Sequence, residues 1–288
     1  MHKATPTTLQ FSGTPSTGAI VDVPMFKNCA RLLGFGRFFG EETADWTTTP
    51  IQDVYDGIRA ECTLTRQLGS ISEKVGIWEY LAPSASEFNG HICKSYQLYK
   101  RIQLGAVGRR PMMRRGCKAD GCLVEANQAF YLSVQGCAVL IAWREDTGQM
   151  CAAHGGLKSF LRERSVATNM LRELGVHDKV SAERVEVVIA FSIEPEKLKY
   201  EWHYPNDEEK NQALCREILD RYGQACLPGD PHEGRVHLEQ IAVTEFNRLG
   251  VTRIKTISAP SDYGKEELWY TTRGKNNGSN GVIVARYT

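Results

Sequence analysis

Cys137 and His154 are the two side chains whose types and spacing point most directly to chemistry. A thiol beside an imidazole can serve as nucleophile and base, or as two ligands for a borderline-soft metal. Residues 131–143 (YLSVQGCAVLIAW) are β-branched, aromatic and mostly apolar, as a buried strand should be. Asp146-Thr147-Gly148 is turn chemistry, and residues 149–156 (QMCAAHGG) form a second short apolar run. If Arg144 pairs with Gln149, paired residue numbers sum to 293, so His154 faces Val139 and lies diagonal to Cys137. Residues on one face of a strand recur every second position, which places the two about 7–8 Å apart on the same face. A register two residues tighter sets them directly opposite. A slip of one residue sends them to opposite faces.

The elements that must hold this pair follow from periodicity. After Gly155-Gly156, Leu157, Phe160, Leu161, Met170, Leu171 and Leu174 recur at helical spacing until Gly175. That predicts a helix opening beside His154, whose unpaired N–H groups and positive dipole end favour an anion or thiolate. Residues 184–191 read as a strand, and Asn206-Asp-Glu-Glu209 reads as the cap of a helix ending at Gly223. Leu238, Ile241, Ala242, Phe246 and Leu249 mark another helix, followed by a strand over 251–257. A last strand pair is expected at 267–272 and 281–287, around the polar loop 274–280.

Upstream, residues 1–20 read as a flexible or edge segment. A helix is expected from Thr49-Pro50 to Leu68, ended by Gly69, and a strand over 77–81. The basic stretch 108–116 (GRRPMMRRG) reads as a solvated loop, with an anion clamp as the functional alternative. No repeat or linker composition divides the chain, so one mixed α/β domain over 21–288 is the simplest organisation.

Composition narrows the function classes. A net charge of +1 over 288 residues gives no argument for nucleic acid or an anionic membrane. No run of 18 apolar residues exists, so no membrane span is expected. The first eight residues lack the apolar core of a signal peptide. Nine cysteines with no CxxC pair do not read as a secreted disulfide framework, and a reducing cytosol suits them better. Cys117 and Cys122 are five apart, but no second close pair completes a zinc knuckle.

From about Gly34 onward the chain resembles the YfiH-type family, also labelled multicopper polyphenol oxidase (laccase), peptidoglycan editing factor or purine nucleoside phosphorylase. That family carries a strand ending in Ala-Asp-Cys-x-Pro-Val and a later His-Ala-Gly-Trp-Arg-Gly. Here those positions read Gln135-Gly136-Cys137-Ala138-Val139-Leu140 and His154-Gly155-Gly156-Leu157-Lys158-Ser159, 17 residues apart between cysteine and histidine. The family's Phe-Ser-Tyr-Arg-Arg stretch falls on residues 269–273, which puts Arg273 in a substrate-contacting place. The sequence departs from the pattern at Gly136, at Leu157-Lys158 and at His91, which lacks the flanking Gln-x-His-Gly. A Gly-Cys with a later His is also carried by the related Rho-deamidating toxins of the cytotoxic necrotizing factor group.

The resemblance implies an α/β (α+β) layered fold with mixed central sheets flanked by helices. It implies two mechanisms and a silent alternative. In the first, His91, Cys137 and His154 hold zinc, which activates water or phosphate against a purine nucleoside or a cell-wall precursor, with Lys158 and Arg273 as substrate contacts. In the second, Cys137 and His154 act without metal on a protein glutamine, in a cytoplasmic setting or in a host cytosol reached as a toxin. In the third, a catalytically silent relative binds a partner through the same cleft.

Overall fold

The computed structural model describes residues 5–7, 20–35, 63–85, 89–104, 110–134, 136–192, 204, 206–229, 234–257 and 280–287. Fourteen strands among them form two seven-stranded sheets. In chain order they are β1 (Thr5–Thr7), β2 (Ile20–Met25), β3 (Ala30–Phe35), β4 (Glu79–Leu81), β5 (Ile92–Cys93), β6 (Lys100–Gln103) and β7 (Met112–Arg115). Then follow β8 (Gly121–Val124), β9 (Gln128–Val134), β10 (Ala138–Arg144), β11 (Gln149–Gly155), β12 (Val185–Ala190), β13 (Arg253–Ile257) and β14 (Asn280–Arg286). The first sheet runs β1-β13-β12-β10-β11-β8-β5 and the second β2-β3-β14-β9-β4-β7-β6. Both mix parallel and antiparallel pairs.

The helices are α1 (Thr63–Val75), α2 (Leu157–Phe160), α3 (Val166–Glu173), α4 (Lys179–Ala182), α5 (Glu208–Tyr222) and α6 (Leu238–Arg248). Their packing gives four layers. On one face of the first sheet, Leu140, Cys151, Val187 and Ile189 meet Phe160, Met170, Ile218 and Phe246 from α2, α3, α5 and α6. On the other face, Val139, Ile141, Trp143 and Ala152 meet Phe130, Leu132, Val282 and Val284 of the second sheet. The outer face of the second sheet is closed by Leu68, Ile71 and Val75 of α1 against Tyr80, Ile283 and Ala285.

β10 sits in the middle of this stack, so Ala138-Val-Leu-Ile-Ala142 is fully buried on both faces. A strand covered twice must be apolar at every position, which explains its unbroken run of hydrophobic residues. Burying each Leu or Ile there contributes about 1.5–3 kcal/mol.

Four expected elements differ. The run 131–143 is not one strand: β9 belongs to the second sheet and β10 to the first, with Gly136 and Cys137 outside both. Gly136, at φ +122°, takes the bend that a side chain resists. The helix expected over 157–174 is two, because the chain leaves the helical path after Phe160 and restarts at α3, where the Ser165 side chain accepts from the Thr168 N–H. Finally, α1 runs through Gly69 to Val75, followed by Gly76 at φ +74°, and the basic stretch contributes a strand, β7. Within β7, Arg114 is held by Glu79 at 3.0 Å and by the carbonyls of Leu98 and Ser95. The strand expected at 267–272 lies outside the described residues.

Candidate active site

β10 and β11 pair antiparallel with Arg144 opposite Gln149 and Val139 opposite His154, the wider of the two same-face registers open to the sequence. The turn is pinned by Arg144, which grips Asp146 at 2.8 and 3.0 Å and reaches the carbonyls of Leu174 and Gly175. His154 therefore stands at the open end of the hairpin, and it is buried. Burial lowers its imidazole from the ordinary 6.5 to about 4, so it is neutral at physiological pH.

Cys137 lies one residue before the first paired position of β10 and is half-exposed. A continued pleat would put it on the inter-sheet side with Val139. Instead, beyond the bend at Gly136, it packs against the cluster on the helix side of the sheet. The two residues thus lie at the same end of the hairpin, His154 buried opposite Val139 and Cys137 at the rim beside the helix-side cluster.

A third group has no counterpart among the sequence expectations. Asp120 is fully buried immediately before β8. Its Oδ2 accepts the Gly90 N–H at 2.6 Å and the Ser159 hydroxyl of α2 at 2.8 Å, while Oδ1 is buried with no hydrogen-bond partner among the described residues. Its carbonyl accepts the His154 N–H at 2.8 Å. Burial raises its carboxyl above the ordinary range, against the lowering pull of Ser159, Gly90, Arg162 and His91. A short polar segment, Lys118-Ala-Asp-Gly121, between two cysteines is its only trace in the sequence.

The other expected site residues are dispersed. His91 is exposed and takes part through its carbonyl, which accepts the N–H groups of Asp120 and Gly121. Lys158 sets its ammonium over the Tyr204 ring, 5.1 Å from the centroid. Arg273 lies outside the described residues. α2, which opens beside His154, is only four residues long, so the dipole expected there is that of a single turn.

A catalytic zinc centre needs three protein donors converging on one point. Among the described residues no group of three or more His, Cys, Asp or Glu is so placed. His91, Cys137 and His154 are all described and form no such group, so as placed they do not fit that metal centre.

No protein-family model and no curated protein matches the chain. Solved structures do. A Bacillus licheniformis hypothetical protein YfiH superposes with a TM-score of 0.64 at 11% identity, over 95% of this chain and 97% of that one. A Neisseria meningitidis protein of family model DUF152 gives 0.60 at 12%, over 94% and 100%. YlmD from Geobacillus stearothermophilus gives 0.56 at 14%, over 96% and 94%. The fold is the YfiH-like fold. Identities this low show architecture alone, and the YfiH-like frame is retained across the whole length of these proteins. Among the described residues of this YfiH-like chain, no helix is long and apolar enough to cross a membrane.

Proposed function

We propose that the chain is a hydrolase in which Cys137 is the nucleophile and His154 the base, acting on a carboxamide without a bound metal. The observation that carries this reading is the β10–β11 register, which brings a buried, neutral imidazole and a half-exposed thiol to one end of a hairpin. With its imidazole at about 4, His154 does not form a resting ion pair with a thiol; it takes the proton as the sulfur attacks. The C–S bond forms, the proton returns from His154 to the departing nitrogen as the C–N bond breaks, and water then cleaves the thioester. The amide side chain of a protein glutamine is the substrate class this chemistry suits. The zinc-dependent nucleoside reading needs a third donor that the described residues do not supply.

The test uses iodoacetamide, itself a primary carboxamide, at pH 7. Cys137 is expected to alkylate several-fold faster than Cys29 and Cys117, the other half-exposed thiols among the described residues, and to lose that advantage in His154→Gln. Equal rates at all three, unchanged by the substitution, refute the dyad and favour a binding role. Near-stoichiometric zinc that is lost on Cys137→Ala would refute the metal-free mechanism.

A further inference from the structure

The overall charge of +1 hides one segregation of charge. Residues 94–118 hold eight Lys and Arg and no Asp or Glu, which leaves the remainder of the chain net negative. Part of this segment folds as the antiparallel pair β6 and β7, and β6 is the outermost strand of the second sheet. There Lys100 stands directly opposite Arg115, and Arg101 opposite Arg114. Like charges in directly opposed positions repel. Arg114 is offset by Glu79 at 3.0 Å, but exposed Lys100 and Arg101 have no ion-pair partner among the described residues. The edge keeps positive charge that its described neighbours do not neutralise.

Two aromatic rings stand beside this charge. Tyr96 and Tyr99 are 68% and 69% exposed, and Val180 is the only other large apolar side chain so open among the described residues. The turn that carries them is fixed from beneath. Ser95 donates its hydroxyl to Glu125, Arg114 donates to the Ser95 and Leu98 carbonyls, and Gln97 accepts the Lys94 N–H. Just past β7, the Tyr99 ring and the Lys100 stem lie so near Gly116 that a Cβ there would come within 3.0–3.2 Å of both. A ring and a lysine stem are thus set side by side over a glycine.

We infer that this edge binds a single-stranded nucleic acid, with Lys100 and Arg101 on its phosphates and Tyr96 and Tyr99 stacked on its bases. Cations that track a backbone and rings that carry unpaired bases are the two parts such a site requires. Charge at a sheet edge also guards against pairing with another strand, but exposed tyrosines serve no such purpose. An acidic peptide or a duplex would satisfy the cations without offering flat, unpaired faces to the rings. This surface does not depend on the Cys137–His154 reading, and each stands or falls by its own test.

Fluorescence anisotropy with labelled oligouridine and oligothymidine, each of about twelve nucleotides, tests the site. Binding is expected, and it should weaken steeply between about 50 and 200 mM salt. Equal binding of the two supports a site blind to the sugar, and a preference for one supports it and names RNA or DNA as the source. Lys100→Glu with Arg101→Glu should abolish binding. Tyr96→Ala with Tyr99→Ala should weaken it roughly tenfold or more. All four side chains are exposed, so neither pair should shift the melting temperature or the alkylation of Cys137. No binding at low salt would overturn the proposal, as would a duplex or a polyglutamate peptide that binds as tightly. A loss in the charge variant with none in the tyrosine variant would leave a general polyanion surface and overturn the single-strand assignment.

Discussion

The N–H of His154 donates to the carbonyl of Asp120 at 2.8 Å, and the N–H of Asp120 donates in turn to the carbonyl of His91. Residues 91, 120 and 154 are thereby strung across the ends of β5, β8 and β11 by main-chain bonds. The position of His154 is thus set by the strand ladder, and the lateral order of these strands decides what stands next to it. Asp120, in the middle of that ladder, is the structural centre of the site.

Replacing Asp120 separates its charge from its acceptors. Asp120→Ala strips partners from the buried Gly90 N–H and Ser159 hydroxyl and should cost about 2–4 kcal/mol in urea unfolding. Asp120→Asn keeps an acceptor and removes a charge that burial disfavours, so it should cost less than about 1 kcal/mol. The raised native carboxyl binds a proton before the unfolded one does, so this group adds stability as pH falls toward 3.8 and loses it as pH rises through its native value. Asp120→Asn should abolish that increment. Equal losses for the two variants would show that the carboxylate charge itself is required.

His154 acts in the opposite sense. Its native imidazole stays neutral down to about 4, whereas the unfolded one takes a proton near 6.5. Stability from this residue is complete above pH 6.5 and falls as pH drops toward 4, by about 3 kcal/mol in all. His154→Gln should flatten the unfolding free energy across that window. A wild-type curve already flat between about pH 6.5 and 4.5 would mean that the imidazole is not buried as described.

The hairpin was readable because its information is local: turn chemistry at Asp146-Thr147-Gly148 located the turn and left two same-face registers open, of which the pairing takes the one with Arg144 opposite Gln149. The layered fold was readable from the Cys137 and His154 segments by resemblance, and the same fold returns in the structural neighbours. The change of sheet between β9 and β10 was hidden because the two strands are equally apolar, each buried on two faces in a different sheet. Gly136 alone marked it. Asp120 escaped because its side-chain partners lie 30 and 39 residues away, and no local pattern announces a carboxylate satisfied at such range. The split of the 157–174 helix was likewise masked by apolar residues that serve two helices on one face.

Ser165 joins the start of α3 to α6. Its hydroxyl accepts the Thr168 N–H at 3.1 Å and donates to Glu245 at 2.5 Å, and buried Glu245 also pairs with Arg248 at 2.8 Å. Ser165→Ala loses a helix cap and a charge-assisted bond together, about 2–4 kcal/mol. In a double-mutant cycle with Glu245→Gln the losses should fall short of additive, because both substitutions break one interaction. Strict additivity would separate the cap from the carboxylate.

Gly121 and Gly69 give opposite outcomes for the same substitution. A Cβ on Gly121 would collide with the Ala152 carbonyl oxygen and the Ala153 Cβ, well inside van der Waals contact. These atoms belong to the paired strand β11, so relief requires opening the β8–β11 ladder on which Asp120 and His154 are mounted. Gly121→Ala should therefore cost about 3 kcal/mol or more and weaken iodoacetamide selectivity at Cys137. On Gly69, inside α1, an added methyl group would meet nothing within 4 Å. Gly69→Ala should raise stability by about 0.5–1 kcal/mol, by removing unfolded-state freedom and improving helix propensity. Thermal melts of the two variants, run against wild type, should shift in opposite directions; a tolerated methyl at Gly121 would mean that β8 and β11 do not approach as closely as their register requires.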